Sequence, residues 1–218
     1  MTADAALYRL MTWLSPSYPV GAYSYSHGVE YAVEAGLVRD RGTLVDWVAH
    51  AVKHGAGLTD AALLAASWRG EDVTELADAW RGSAEMALES RAQGAAFLAA
   101  TQAAWPHPAL DELALRRQGE APLPVAVGVA AQAHGVALDA ALTAYLHAFA
   151  ANLVSAGVRL IPLGQTDGQR ALAALEPAVA AAAGTARGTP LDEIGTASPT
   201  IDWCSMKHET QYTRLFRS

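Results

Sequence analysis

The stretch AALTAYLHAFAANLVSAGV, residues 140–158, contains no Asp, Glu, Lys or Arg over 19 positions. That length approaches the roughly 20 residues that an α-helix needs to cross a bilayer. The stretch is rich in alanine, however, it contains His147 and Asn152, and neither aromatic anchors nor a lysine cluster flank it. We therefore predict a helix buried inside a soluble bundle and no association with a membrane.

Helical patterns continue on both sides of this stretch. The large apolar side chains of the long helix recur on one face, and Pro162 ends it. These side chains are Leu138, Leu142, Tyr145, Leu146, Phe149, Leu153 and Leu160. Two further segments begin with a capping-box pattern, Thr43-Leu-Val-Asp46 and Thr166-Asp-Gly-Gln169. Because runs of alternating β-branched residues are missing, the sequence predicts an all-α bundle of about nine or ten helices.

The composition indicates one folded domain followed by a flexible C-terminal tail. The 218 residues are 52% hydrophobic and 17% charged, which is enough to bury a substantial core. After Ala183 the sequence changes to GTARGTPLDEIGTASPT, which is typical of a linker. We therefore predict a helical domain over residues 1–183, a flexible linker over 184–202 and a partner-binding tail over 203–218.

Charge and cysteine usage restrict the function further. The net charge of −7 and the pI near 5.4 argue against a general nucleic-acid-binding protein. The single cysteine, Cys204, excludes an internal disulfide and a multi-cysteine zinc site, which fits a reducing cytoplasm. The first residues, MTADAALYRLMTWLSPSYP, lack the basic and apolar regions of a signal peptide, so we expect a cytoplasmic protein.

The stretch SYPVGAYSYSHGVE, residues 17–30, contains candidates for nucleophilic catalysis in Ser24, Ser26 and His27. A nucleophile elbow needs Gly-x-Ser-x-Gly between a strand and a helix, and here tyrosines flank Ser24 and no strand precedes it. The prolines and glycines instead predict a fixed turn in which Ser24 or Ser26 caps the next helix. We expect no catalytic residue in this stretch.

Two groups of side chains have the spacing of metal ligands. Asp46, His50 and His54 are four residues apart on one helix ridge, and Cys204 and His208 form a second pair. The first group lies opposite the apolar face of its helix, which favours a solvated surface over a metal site. We therefore predict no metal site, with a metal-dependent helical enzyme as the alternative.

The glycine-rich stretch PLGQTDGQ, residues 162–169, lacks the Lys-Ser/Thr that ends a phosphate-binding Walker sequence. It therefore predicts a sharp turn between two core helices. Its polar residues either cap the following helix or remain exposed for a partner.

The last sixteen residues, WCSMKHETQYTRLFRS, combine aromatic side chains with three basic residues and one glutamate, on a chain whose net charge is −7. Aromatic and arginine residues are enriched at the centres of protein–protein interfaces. The tail is therefore predicted to fold onto a partner, with docking on its own domain as the alternative.

Three stretches, taken together and in this order, resemble the urease accessory protein UreF family: LSPSYPVGAYSYSHGVE (14–30), LVSAGVRLIPLGQTDGQ (153–169) and HETQYTRLFRS (208–218). The resemblance therefore covers essentially the whole chain. The residues that match the family motifs are Pro16, Pro19, Gly21, Ser24, Gly28, Glu30, Gly164, Gln165, Gly168 and Gln169.

The resemblance implies an all-helical, homodimeric adaptor with no catalytic activity or cofactor of its own. Proteins of this family bind the accessory protein UreD (also called UreH), which contacts apo-urease, and the GTPase UreG, which carries nickel. The complex delivers nickel to the urease active site, and the UreF protein regulates the GTPase. By similarity, Tyr212, Arg214, Leu215, Phe216 and Arg217 are expected at the UreD interface. A free-standing nickel-binding chaperone with Cys204 and His208 as ligands is a further alternative.

Overall fold

The computed structural model describes residues 2–218, which hold eleven α-helices and two short 3₁₀ turns, Ala22–Ser24 and Leu191–Glu193, with no strand among them. The predicted all-α, single-domain fold is therefore confirmed. The helices are α1 (Ala3–Trp13), α2 (Val29–Glu34), α3 (Arg41–His54), α4 (Ala56–Trp68), α5 (Thr74–Ala79), α6 (Ala84–Ala104), α7 (Pro108–Arg117), α8 (Leu123–Ala133), α9 (Leu138–Leu160), α10 (Gln165–Ala186) and α11 (Pro199–His208).

The long apolar helix α9 lies at the centre of the bundle, packed between α3, α4 and α10. Leu142, Leu146 and Leu153 are almost completely buried. By length and composition alone α9 could cross a membrane, but half of its most apolar 18-residue window is covered by the rest of the chain. The helix is therefore apolar because it forms the core, as the sequence predicts.

A second layer is formed where α8 packs against α4 and α6. Gly128 permits the close approach of α8 and α4, since a Cβ atom at this position would lie only 2.6 Å from the carbonyl oxygen of Leu64. Real Cβ atoms do not approach a backbone oxygen so closely, so any larger residue would push the two helices apart.

Both predicted capping boxes differ from the structure. Helix α3 begins at Arg41, and its N-cap is Asp40. The carboxylate of Asp40 accepts a hydrogen bond from the Thr43 amide at 2.8 Å, and the Thr43 hydroxyl accepts one from the Asp40 amide at 3.1 Å. Helix α10 begins at Gln165, after Gly164, and has no side-chain cap. In both helices, a threonine that lies inside the first turn has the sequence pattern of an N-cap.

The residues predicted to form the linker and tail lie against the helical domain. Helix α10 continues to Ala186, beyond the expected boundary at residue 183, because its alanine-rich sequence favours helix. The linker contacts the domain where the Ala197 amide donates to the His54 carbonyl at 2.7 Å, and Ile194 and Ile201 are buried. We call residues 209–218, which follow α11, the C-terminal segment.

Candidate functional site

The three stretches singled out in the sequence meet at one place in the fold. Helix α2, the second half of α9 and the C-terminal segment lie side by side there, although the hydrogen-bonded residues Glu30 and Phe216 are 186 positions apart. We call the contact between residues 24–30 and residues 214–218 the terminal clasp.

Two backbone hydrogen bonds define the terminal clasp. The amide of Arg217 donates to the carbonyl of Ser24 at 2.7 Å, and the amide of Ser26 donates to the carbonyl of Ser218 at 2.7 Å. The Ser26 hydroxyl also donates to the Ser218 carbonyl, and it accepts a 3.3 Å hydrogen bond from the Glu30 amide at the start of α2. Ser26 therefore stabilises both the start of α2 and the clasp.

Gly28 brings α11 directly onto the start of α2. Its φ angle is +80°, and a Cβ atom there would lie 2.9 Å from the backbone nitrogen of Ser205. Only glycine satisfies both the left-handed backbone and this close contact. Beside it, the hydroxyls of Ser83 and Ser205 form a 2.6 Å hydrogen bond that joins α11 to the residue preceding α6.

The carboxylate of Glu30 is the centre of the clasp. It accepts hydrogen bonds from the amides of Leu215 at 2.6 Å and Phe216 at 2.9 Å, and Nε2 of His208 lies 3.0 Å away. Hydrogen bonds to an ionised group contribute about 1.5–3 kcal/mol each, roughly twice as much as neutral ones. Glu30 therefore holds the C-terminal segment through the backbone amides of that segment.

A second carboxylate, that of Glu85 on α6, holds the other side of the same segment. It contacts Nδ1 of His208 at 2.7 Å and accepts a hydrogen bond from Nη1 of Arg214 at 2.8 Å. The imidazole of His208 thus lies between the carboxylates of Glu30 and Glu85, completely buried. Arg214 is half-exposed, so its guanidinium belongs both to the clasp and to the surface.

Helix α9 contributes the third part of the site. Nη2 of Arg159 donates to the Tyr23 carbonyl at 2.8 Å, and its guanidinium lies 4.2 Å from the centre of the Phe216 ring, a cation–π contact. Burial lowers the pKa of Arg159 below its ordinary value. The Asn152 amide donates to the Tyr25 carbonyl at 3.2 Å. These two side chains fix the loop before α2 to the core helix.

The remaining residues of the second motif lie at the turn between α9 and α10. Gly168 is buried, and a Cβ atom there would contact Val158 at 3.1 Å, so this glycine lets the two helices pack closely. Gly164 precedes α10, and Gln165 and Gln169 are exposed. The turn therefore presents polar side chains at the end of the helix that carries Arg159.

The predicted interface residues divide into exposed and buried ones. Tyr212 is fully exposed, Leu215 is 64% exposed, and Arg214 and Arg217 are exposed as well. Phe216 is buried and points into the domain. Trp203 and Met206 of α11 are about half exposed. Together with the four exposed residues of the C-terminal segment they form what we call the C-terminal face: Trp203, Met206, Tyr212, Arg214, Leu215 and Arg217. Phe216 anchors this face and does not belong to its outer surface.

The serine and histidine candidates for catalysis have structural positions. The hydroxyl of Ser26 is used within the clasp, and the carbonyl of Ser24 accepts from Arg217. His27 is buried with φ +56°, and its Nδ1 lies 3.6 Å from the carboxylate of Glu89. These residues shape the loop before α2 and pack against α6.

Several candidate metal ligands contact other groups in the structure. The His50 and His54 rings lie 5.1 Å apart, and Nε2 of His50 is 3.0 Å from the Ala197 carbonyl oxygen. Both ring nitrogens of His208 face carboxylates, and burial raises the pKa of the Cys204 thiol to about 11. Within residues 2–218, no three His, Cys, Asp or Glu side chains are arranged to hold a metal ion.

Three residues of the site were not predicted as functional from the sequence: Glu85, Asn152 and Arg159. Arg159 lies inside the second motif, so the motif itself was the available signal. Glu85 and Asn152 lie on long helices at positions without a distinctive local pattern. Their roles depend on contacts across more than 120 residues of sequence.

Together, the fold and the clasp define an all-α protein whose distinctive surface is built by folding its C-terminal segment onto its N-terminal loop. A model of the UreF family matches residues 38–176. The chain is 55% identical to the urease accessory protein UreF of Granulibacter bethesdensis, with 100% of this chain and 96% of that protein covered. It is 52% identical to the UreF protein of Rhodopseudomonas palustris strain BisB5, covering 99% and 92% of the two chains.

The chain therefore belongs to the urease accessory protein UreF family. It is an accessory protein and not an enzyme, as predicted from the three motifs.

Proposed function

We propose that this protein is the adaptor and GTPase regulator of the complex that delivers nickel to apo-urease. In this role it binds UreD (UreH) and UreG as a homodimer in the cytoplasm. Nickel is the cargo of the complex and is not a resident cofactor of this chain. The proposal extends the accessory role that the names of the similar proteins state.

The observation that carries the proposal is the exposed C-terminal face on a rigidly held segment. Leu215 and Tyr212 are exposed although the backbone beside them is fixed by hydrogen bonds to Glu30. A segment already ordered loses little conformational entropy when a partner binds, so its exposed side chains contribute more of their contact energy to affinity. Arginine and aromatic residues at such a surface are typical of binding hot spots.

We assign the C-terminal face to UreD. Arg214, Leu215 and Arg217 point outward, and Tyr212 lies at the turn that precedes them. Phe216 supports this interface from below through its contact with Arg159.

An activation assay tests the adaptor role. Apo-urease, UreD, UreG, GTP and nickel are combined with the full-length protein, with a variant ending at Thr210, or with no added protein. We expect urease activity only with the full-length protein, together with a changed rate of GTP hydrolysis by UreG. Equal activation in all three mixtures would contradict the proposal.

A variant with one change at an exposed residue outside the clasp serves as the matched control. Leu115 on α7 is exposed and lies outside the clasp, so Leu115→Asp should activate urease as well as the unchanged protein does. The truncated variant and this control together distinguish loss of the C-terminal face from a general effect of surface charge.

A further inference from the structure

The side chain of His208 lies between two carboxylates in a site closed to water. Nε2 is 3.0 Å from Glu30 Oε2, Nδ1 is 2.7 Å from Glu85 Oε2, and the imidazole has no exposed surface. Ionised carboxylates only accept hydrogen bonds, so each ring nitrogen must carry a proton to bind its carboxylate. The arrangement therefore requires the charged imidazolium form of His208.

Loss of either proton would oppose a nitrogen lone pair to a carboxylate at hydrogen-bond distance. In bulk water such a contact is relieved by solvent, but a buried polar group without a partner costs free energy. The neutral imidazole is thus compatible with one of the two carboxylates only. Deprotonation of the imidazole should therefore separate the other carboxylate from the ring.

The charged groups around the imidazole do not replace the missing proton. Apart from His208 itself, Arg214 is the one cationic side chain within residues 2–218 that binds either glutamate, and it binds Glu85. One arginine cannot balance two buried carboxylates, so the imidazolium supplies the second positive charge. The other charged and titratable groups nearby contact other residues. Glu89 on α6 contacts Ser218 and His27, Glu34 on α2 binds Gln211, and Glu209 binds the Ala84 amide. Asp202 on α11 is partly buried, and Lys207 lies beside Trp203.

The same two carboxylates hold the C-terminal segment. Glu30 accepts the amides of Leu215 and Phe216, and Glu85 accepts from Arg214. Movement of either glutamate away from a neutral His208 would break these bonds. The protonation of one buried ring is therefore coupled to the position of the whole segment.

The geometry points to His208 as a proton-dependent latch for the C-terminal segment. The segment is docked while the imidazole carries both protons and is released when one is lost. The stabilisation is present at low pH and disappears as pH rises, because the docked state binds the proton and the released state does not need it. This inference rests on the proposed function in one respect. If the C-terminal face binds the partner, release of the segment makes partner binding sensitive to pH.

Amide hydrogen exchange of the full-length protein tests the latch. Protection factors of the Leu215 and Phe216 amides, corrected for the intrinsic rate, are measured at about pH 6 and about pH 9. We expect protection to fall at least about tenfold at the higher pH. The amide of Leu146, inside α9, is the internal reference and should not change.

A Glu85→Gln variant separates a latch from a purely structural histidine. The glutamine amide can donate to a neutral Nδ1, while Nε2–H still donates to Glu30, so His208 no longer needs its second proton. Protection in this variant should be present at both pH values. A His208→Gln variant should show weak protection at both.

Two results would overturn the latch: wild-type protection that is equal at both pH values, or a Glu85→Gln variant that loses protection as the wild type does. UreD binding, measured on the same samples, separates this inference from the proposed function. A pH-dependent segment with no UreD binding at either pH would contradict the proposed function alone. Equal UreD binding with constant protection would contradict the latch alone.

Discussion

The guanidinium of Arg159 on the core helix α9 lies 4.2 Å from the centre of the Phe216 ring. The same guanidinium donates to the Tyr23 carbonyl at 2.8 Å. One side chain of the central helix thus contacts the N-terminal loop and the C-terminal segment at once. The terminal clasp is therefore joined to the central helix of the bundle.

Replacing Arg159 should release the C-terminal segment without unfolding the domain. An Arg159→Met variant loses the cation–π contact, about 0.5–2 kcal/mol, and a charged hydrogen bond of about 1.5–3 kcal/mol. We expect trypsin to cleave after Arg214 and Arg217 at least about tenfold faster. Arg170→Met, which changes an exposed arginine on α10, is the control. Equal cleavage of the two variants would show that Arg159 does not hold the segment.

Gly28→Ala should destabilise the protein more than Gly36→Ala. Both glycines have positive φ angles, +80° and +71°, but only at Gly28 would the new methyl meet another element, the backbone of Ser205. Gly36 has open space around it, so its variant measures the cost of the backbone conformation alone, about 1–2 kcal/mol. Denaturant unfolding gives both free energies. The contact between α2 and α11 is unimportant if the two values are the same.

The thiol of Cys204 should be unreactive in the folded protein. It is buried, and burial raises its pKa to about 11, so the thiolate is scarce at neutral pH. We expect a disulfide reagent to label it only after denaturant is added. Rapid stoichiometric labelling of the native protein at about pH 8 would mean that α11 opens readily.

The buried ion pair between Arg81 and Asp60 should contribute far more to the free energy of unfolding than an exposed ion pair does. Nη1 of Arg81 lies 2.7 Å from Asp60 Oδ1, and the Tyr145 hydroxyl donates to Asp60 Oδ2 at 2.9 Å. Arg81→Met would leave a buried carboxylate without its cation, at a cost of about 3–5 kcal/mol.

The control for this ion pair is Arg39→Met. The pair between Arg39 and Asp40 is exposed and 3.8 Å long, and such pairs contribute at most about 1 kcal/mol. Thermal or denaturant unfolding should therefore give a large difference between the two variants. Similar stabilities would indicate that water reaches the Asp60 site.

The long helices could be predicted from the sequence because their apolar residues repeat every three or four positions. Leu142, Leu146 and Leu153 follow this pattern and are buried in α9 as expected. Helix starts were less predictable, since Thr43 and Thr166 resemble N-caps but lie inside their helices. Either Asp40 or Thr43 is a suitable cap by residue type, and only the backbone geometry decides between them.

The clasp could be predicted only in part. The tail was expected to bind a surface, because its aromatic and basic residues suit an interface, but the pattern favoured a partner over the domain itself. The position of Phe216 depends on Arg159 and that of His208 on Glu85, and neither pairing has a local signature. Long-range pairs of this kind follow from the packing of α6, α9 and α11, which the sequence pattern does not specify.

The affinity of UreD for the C-terminal face is a direct measure of whether this face forms the proposed interface. Titration calorimetry would compare the unchanged protein, a Tyr212→Asp/Leu215→Asp double variant and the Leu115→Asp control. Because the side chains of Tyr212 and Leu215 point to solvent, the double variant keeps the backbone bonds to Glu30. We predict that its affinity falls at least about 30-fold, as for a hot spot of about 2 kcal/mol or more, while the control binds normally. Equal affinity of all three proteins would contradict the account.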